Sequence, residues 1–195
     1  MKIYFFIFVL LINFQSWSKA DDISEFQIER MSIGDSLLDY FSKNTIENNA
    51  QEDQFPNDKY IIRSFWKLEN FKKYELVNVM HLKNDKKYII EGITGLVSYN
   101  NAINQCLEQK DIIESQFDAE FKNAKKNSGQ LKKNFDKTGN SKGYVTEYTL
   151  KDGSIIQIAC DDWSEEMSNN GYSDSLTISM QTYELGNFIL NDAYK

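Results

Sequence analysis

Residues 144–161 read YVTEYTLKDGSIIQIACD, and this stretch decides the fold. Residues that favour strands stand on both sides of Asp152-Gly153, a dipeptide typical of a two-residue hairpin turn. A turn of that length predicts three pairs across the hairpin: Val145–Cys160, Glu147–Ile158 and Thr149–Ile156. It also places three side chains of the second strand on one face, which we predict to be the core face: Ile156, Ile158 and Cys160.

Other segments carry strand patterns as well. Three runs rich in β-branched and aromatic residues precede the hairpin: Lys59–Trp66, Tyr74–Leu82 and Lys87–Tyr99. Asn84-Asp85 marks a turn between the second and third runs, and Gly92 and Gly95 predict a bulge or a bend in the third. Residues 176–180 alternate apolar and polar side chains, as a half-buried strand does.

A long amphipathic helix is predicted over Asn100–Asn127. Side chains that recur at helical spacing form its buried stripe: Ile103, Cys106, Leu107, Lys110, Ile113, Phe117, Phe121 and Ala124. Ser128-Gly129 has the composition of a helix C-cap, and Leu185–Tyr194 can end the chain as a short helix.

The order of these elements predicts an α+β fold. Antiparallel hairpins with helices on one face give a sheet of about six strands, with the long helix packed across it. The order of one helix and three strands occurs twice, which points to an α-β-β-β duplication. Residues 21–195 are long enough for one such domain.

Residues 1–20 have the features of a secretory signal peptide. Lys2 precedes an apolar run of ten residues, Ile3–Ile12, and Ser18-Lys19-Ala20 supplies small residues before a cleavage site at Asp21. A transmembrane helix needs about 20 apolar residues, so an uncleaved anchor is the less favoured alternative. We therefore expect a periplasmic or secreted protein without a transmembrane segment in the mature chain.

Three segments resemble a group of short exported proteins of marine alphaproteobacteria. The likeness is carried by Ile23–Phe41 (ISEFQIERMSIGDSLLDYF), by Cys160-Asp161-Asp162-Trp163-Ser164 and by residues 176–180. The resemblance implies a periplasmic destination, and it carries over no catalytic or binding residues.

The mature chain holds two cysteines, Cys106 and Cys160. Both lie on predicted core faces of their elements, and exported proteins fold where disulfides form. We predict a Cys106–Cys160 disulfide, which would stabilise the fold by about 4 kcal/mol in the chain-entropy model. The alternative is a pair of buried free thiols.

Charge is unevenly distributed along the chain. The net charge is −7, and loss of residues 1–20 removes Lys2 and Lys19, which leaves −9. This acidity argues against a general nucleic-acid binder. Residues 122–142 nevertheless hold seven lysines and one acid. They predict either a solvated loop or a patch for an anionic partner, such as lipid headgroups or an acidic protein, formed by Lys122, Lys125, Lys126, Lys132 and Lys133.

Residues that could carry catalysis are few. His81 is the only histidine and fits no catalytic motif, so we predict a surface or rim residue. Asp161-Asp162 and Glu165-Glu166 could serve a carboxylate-dependent hydrolase. The same segment fails the EF-hand pattern because Met167 stands where glycine is required, so no metal is expected.

These patterns favour a non-catalytic binding or envelope-accessory module. Its partner would be a protein or a small ligand, held on the sheet surface or on the edge loops, and no cofactor is predicted. The carboxylate-dependent hydrolase is the alternative.

The disulfide gives the first testable prediction. Intact-mass measurement of the purified protein should give a mass that rises by two hydrogens after reduction, because one S–S bond becomes two thiols. An unchanged mass would mean that Cys106 and Cys160 are free thiols.

Overall fold

A computed structural model describes residues 22–51 and 54–195. The signal peptide predicted for residues 1–20 lies outside the described residues. The described chain contains one antiparallel sheet of eight strands and four α-helices. The α+β class is therefore confirmed, with eight strands in place of about six. In the part of the chain that is described, no helix combines the length and the apolar character needed to cross a bilayer.

The elements are numbered here in chain order. The strands are β1 Ala50–Gln51, β2 Tyr60–Trp66, β3 Leu76–Leu82, β4 Gly92–Ser98, β5 Lys125–Lys132, β6 Lys142–Thr149, β7 Ile155–Asp162 and β8 Ser175–Gln181. The helices are α1 Lys43–Asn48, α2 Ile103–Glu120, α3 Glu165–Asn169 and α4 Tyr183–Asn191.

The sheet consists of two four-stranded meanders joined at their last strands. The strand order is β1-β2-β3-β4-β8-β7-β6-β5, and every neighbouring pair is antiparallel. Each half follows a helix, α1 or α2, and has one strand more than the predicted α-β-β-β unit. This order leaves the first strand of each half, β1 and β5, at the two edges of the sheet.

The β6–β7 hairpin forms where the sequence predicts it, but the predicted register is wrong by one residue. Tyr144 faces Cys160 and Thr146 faces Ile158. The loop holds three residues, because the Leu150 amide donates to the Ser154 carbonyl (2.8 Å) and Gly153 adopts φ +86°. A type I turn followed by a left-handed glycine is the usual three-residue solution. The core face of β7 is confirmed, since its three predicted residues are fully buried: Ile156, Ile158 and Cys160.

The predicted end of the long helix is also wrong. Helix α2 stops at Glu120, and the segment predicted as its last turns and C-cap forms strand β5. The buried stripe ends at Phe121, and Asn127-Ser128-Gly129 are weak helix formers with no apolar side chain to bury. All eight residues of β5 are exposed, so a burial pattern could not mark it as a strand.

Strand β4 is regular through both of its glycines. Its register with β3 and β8 is continuous, so the predicted bulge is absent. Gly92 lies against Leu185 of helix α4, and Gly95 lies against the ring of Tyr74. A Cβ atom at either position would overlap these side chains, so the glycines permit close packing.

One face of the sheet, the covered face, packs against α2 and the N-terminal segment. Phe65, Val77 and Ile93 of the sheet share a core with Phe26 and Phe117. The opposite face, the open face, is covered at one end by α4, where a second cluster forms around Tyr60, Leu185 and Phe188.

Helix α2 is held to the covered face by a disulfide and by a hydrogen bond from a buried lysine to β6. The predicted bond between Cys106 and Cys160 is present, with a Cα–Cα distance of 6.0 Å and both residues fully buried. One turn further along α2, the buried Lys110 forms an ion pair with Glu114 and donates to the hydroxyl of Thr146 on β6 (2.9 Å). The ion pair satisfies a charge that burial would otherwise penalise.

His81 lies in the core, so its prediction as a surface or rim residue is wrong. It is fully buried on the covered face of β3. Arg63 on β2 donates from Nε to His81 Nε2 (3.1 Å), while Nδ1 lies 2.7 Å from the Leu82 carbonyl. Because Nε2 accepts, the proton of the neutral ring is on Nδ1. Arg63 also pairs with Glu47 of α1 (3.4 Å), so the histidine helps to hold this helix on the sheet.

The burial of His81 generates a pH prediction. Desolvation by burial lowers the pKa of the imidazole. The unfolded chain, with a histidine pKa near 6.5, therefore takes up a proton first as the pH falls, so the stabilising contribution of the neutral ring declines below about pH 6.5.

Urea unfolding of wild type and His81→Gln between pH 5 and 8 checks this expectation. The free energy of unfolding of the wild type should decrease more steeply toward pH 5 than that of the variant. Parallel pH profiles would contradict a neutral, buried His81.

A candidate binding surface at the basic edge of the sheet

Strand β5 forms a basic edge on one side of the sheet. It pairs with β6 from Lys125–Thr149 to Lys132–Lys142, and every residue of β5 is exposed. The position of β5 at the edge of the sheet explains its amino-acid composition. A strand with one neighbour and two wet faces has no core to pack against, so even its Leu131 is 57% exposed. Lysine on an edge strand also discourages accidental pairing.

The loop after β5 is organised by the carboxylate of Asp136. One oxygen accepts from the backbone N–H of Thr138 (2.9 Å) and the other from the N–H and the hydroxyl of Ser141 (2.8 and 2.6 Å). These hydrogen bonds hold the pKa of Asp136 well below its usual range, and the bond from the Ser141 hydroxyl has the largest effect. The carboxylate thus accepts hydrogen bonds from backbone N–H groups of the loop that have no strand partner. It thereby holds the loop, and with it the neighbouring Phe135, in place.

The same loop is tied to the segment that follows β7. The hydroxyl of Ser141 accepts from the N–H of Ser164 (2.9 Å), and the buried carboxylate of Asp174 accepts from the N–H of Trp163 (3.0 Å). Residues 133–141 and 163–174 are therefore held side by side at one end of the sheet.

Three aromatic side chains meet where these loops touch. Trp163 lies 4.8 Å from Tyr172 and 5.4 Å from Phe135 between ring centroids, and Phe135 lies 6.0 Å from Tyr172. Phe135 is 56% exposed and Tyr172 43% exposed. The rings touch one another and present their outer surface to solvent, so they form a platform. We call these three residues the aromatic platform.

Lys133 links the aromatic platform to strand β5. Its Nζ lies 5.3 Å from the centroid of the Trp163 ring and 2.5 Å from a carboxylate oxygen of Asp161. The residue directly follows β5, so the basic edge and the platform form one continuous surface. A cation over an indole face adds a favourable electrostatic contact.

The five lysines predicted as an anionic-partner patch all lie on or beside β5. Lys122, Lys125 and Lys132 are exposed. Lys126 is engaged by Asp118 (2.8 Å) and Glu114 (3.2 Å) on α2, and Lys133 by Asp161. The patch thus contains three exposed lysines and two that already have anionic partners.

The acids predicted for the alternative hydrolase are engaged in different ways. Asp161 pairs with Lys133, and Glu165 and Glu166 are exposed in the first turn of α3. Burial, with the nearby Asp174 carboxylate, raises the pKa of Asp162. Among the described residues, no cluster of three or more histidine, cysteine, aspartate or glutamate side chains has a geometry suited to a metal ion.

The open face of the sheet carries a row of polar side chains at its middle. In register across five strands stand Ser64, Asn78, Thr94, Ser179 and Gln157. Ser64 donates to Asn78 (2.7 Å) and Thr94 to Ser179 (2.9 Å). These groups satisfy one another, so the row is a weaker candidate for ligand binding than the aromatic platform.

A surface depression of about 540 Å³ lies between the β2–β3 loop and the end of β4. Its wall includes Lys72, Lys73 and Tyr74, three consecutive residues with a row of backbone N–H groups. All three donate to the carboxylate of Glu29 at 2.6–3.0 Å. A row of N–H groups that could hold an anion is thus occupied by the chain itself.

Sequence reasoning did not identify the aromatic platform. Phe135, Trp163 and Tyr172 share no spacing that would mark them as neighbours. Only the pairing of β5 with β6, and of β7 with both β6 and β8, brings their loops to the same corner.

No family model matches the chain, and no significant match to a curated protein or to a solved structure is found. The resemblance to exported alphaproteobacterial proteins therefore stays a prediction.

Asp136 provides a test of how the platform is held. Asp136→Asn should lower the melting temperature at neutral pH, because an amide cannot accept all the hydrogen bonds of the carboxylate. The difference from wild type should shrink as the pH falls below about 3.8, because the low folded-state pKa makes the stabilisation by the charged carboxylate complete above the unfolded value and progressively smaller below it.

Thermal unfolding followed by circular dichroism between pH 2.5 and 7 checks this prediction. Asp111→Asn, on the exposed side of α2, is the matched control and should leave the melting temperature nearly unchanged. Equal behaviour of the two variants would show that Asp136 does not organise the loop.

Proposed function

We propose that this protein is an exported, non-catalytic binding module that recognises an acidic segment of a partner protein. The proposed compartment is the periplasm or the extracellular space. The binding surface is the basic edge together with the aromatic platform. The observation that carries the proposal is their contiguity through Lys133, which follows β5 and lies over Trp163.

The two parts of the surface supply different components of binding. Exposed aromatic rings bury a large apolar area and lose little side-chain entropy, which is why tyrosine and tryptophan dominate binding hot spots. The three exposed lysines of the patch attract acidic groups and accelerate association. The rest of the mature chain is acidic, so the positive potential of this edge is local.

An acidic partner is also consistent with the ion pairs already present. Lys126 and Lys133 already bind carboxylates of the protein itself at this edge, those of Asp118 and Asp161 respectively. Lys125 and Lys132, at the two ends of β5, extend the same chemistry to solvent.

Fluorescence anisotropy of a labelled glutamate-rich peptide tests the proposal. The wild-type protein should bind it, more weakly as salt rises, and should not bind a lysine-rich peptide. Lys125→Gln/Lys132→Gln should weaken binding by about fivefold, because each exposed pair contributes about 0.5 kcal/mol. The matched control is Lys43→Gln/Lys86→Gln, which removes equal charge elsewhere.

The aromatic platform is tested in the same assay. Trp163→Ala should weaken binding of the peptide by about tenfold, as expected for an interface hot spot. Trp66→Ala is the control, because Trp66 is 59% exposed on the sheet but belongs to β2, far from β5 in the strand order. Equal losses in both variants, or none, would contradict the assigned surface.

A carboxylate-dependent hydrolase remains the second candidate, and one observation favours it. The raised pKa of Asp162, caused first by burial, is a property that general acids share. Hydrolysis of any substrate in a broad panel by the purified protein, lost in Asp162→Asn and retained in Glu166→Gln, would establish this alternative.

A further inference from the structure

Among the described residues, the outer backbone edge of β5 has no neighbouring strand. In the described part of the chain β5 pairs with β6 alone. The Lys133 amide donates to the Ser141 carbonyl (3.2 Å), which shows that odd-numbered residues direct their backbone groups toward β6. Backbone direction alternates along a strand, so the N–H and C=O groups of four residues point outward: Lys126, Ser128, Gln130 and Lys132.

The strand at the other edge of the sheet is much shorter. Strand β1 is two residues long and pairs with Arg63 and Ile62 of β2, and the Ser64 amide donates to the Asn49 carbonyl (2.9 Å). Within the described chain, the longer stretch of backbone without a strand partner is therefore at the β5 edge, where eight consecutive residues are exposed.

Charge disfavours a second copy of β5 as the occupant of this edge. Two β5 strands paired antiparallel about a two-fold axis through their outward-facing residues would place Lys126 of one copy opposite Lys132 of the other at both ends. Like charges directly opposite on neighbouring strands are destabilising. An acidic strand would instead place carboxylates opposite Lys125 and Lys132, on either side of the uncharged run 127–131.

We propose that an extended acidic segment of the partner protein adds to the sheet as a ninth strand, antiparallel to β5. This inference rests on the proposed function and specifies its binding mode. The four outward-facing residues provide backbone hydrogen bonds, and Lys125 and Lys132 select acidic residues seven positions apart in the segment. Lys125 lies on the open face and Lys132 on the covered face, so the two acids project from opposite faces of the added strand.

The aromatic platform lies beyond the Lys132 end of this added strand. The part of the segment that passes Lys132 reaches Lys133 and Phe135, which follow β5 directly. An apolar side chain there would cover the exposed side of Phe135, next to Trp163.

The experiment uses two synthetic peptides of the same sequence, with glutamates seven positions apart and threonine and valine between them. One has a normal backbone, and the other is N-methylated at alternate residues, which removes the donors that face β5. The purified protein should bind the normal peptide at least about tenfold more tightly, since several backbone hydrogen bonds are lost on methylation.

Hydrogen exchange provides a second, residue-level readout. On binding, exchange should slow at the amides of the four outward-facing residues. The amides of Asn127 and Gly129 already face β6, so they should change little.

A protein variant tests the same backbone contact. Gln130→Pro removes one outward-facing N–H donor and should therefore weaken binding of the normal peptide by about tenfold. Proline is tolerated on an edge strand where the amide it replaces faces solvent, so the free protein should still fold. Gln130→Ala loses the same side chain, keeps the N–H and should bind like wild type. If Gln130→Pro does not fold, the N-methylated peptide and hydrogen exchange carry the test with the wild-type protein.

The outcomes separate this inference from the proposed function. Salt-sensitive binding that ignores N-methylation would overturn strand addition and leave the acidic-partner function intact. Absence of binding by any glutamate-rich peptide would overturn both. Binding to anionic phospholipid vesicles in place of the peptide would assign the edge to a lipid surface, and a dimer abolished by Gln130→Pro would assign it to a second copy. Either result would overturn the acidic segment as occupant.

Discussion

The pairing of β4 with β8 is the interaction on which the rest of the structure depends. Each half of the chain forms a meander of consecutive strands, and the seven residue pairs from Gly92–Gln181 to Ser98–Ser175 join the two halves into one sheet. Because the last strand of each half is used at this junction, the first strand of each half is left at an edge. That constraint places the lysine-rich β5 at the rim of the sheet, with its backbone available to a partner.

The same arrangement brings segments of opposite charge together. The lysines of residues 122–142 and the acids that follow β7 are separate blocks in the sequence. The antiparallel pairing of β5, β6 and β7 sets Lys133 beside Asp161. The hydroxyl of Ser141, between Asp136 and the Ser164 amide, then joins the two loops. The candidate surface is thus a product of strand order, supported by hydrogen bonds that replace backbone partners missing in the loops.

Local patterns predict much of the fold and little of the candidate surface. The strands rich in β-branched residues, the core stripe of α2 and the Cys106–Cys160 disulfide follow from periodicity, since burial on one face requires apolar side chains at regular spacing. Strand β5 has no such signal, because both of its faces are wet. The hairpin register differs by one residue because turns of two and three residues both accommodate Asp-Gly.

The sequence by itself determined the α+β class, the core face of the β6–β7 hairpin and the disulfide pairing, because each depends on side-chain types at local spacing. The tertiary structure decided the burial of His81, the position of β5 and the meeting of Phe135, Trp163 and Tyr172. These features depend on which strands lie side by side. Strand order results from long-range pairing of backbone groups. Every residue except proline offers the same backbone donor and acceptor, so the side-chain pattern does not indicate which strands pair.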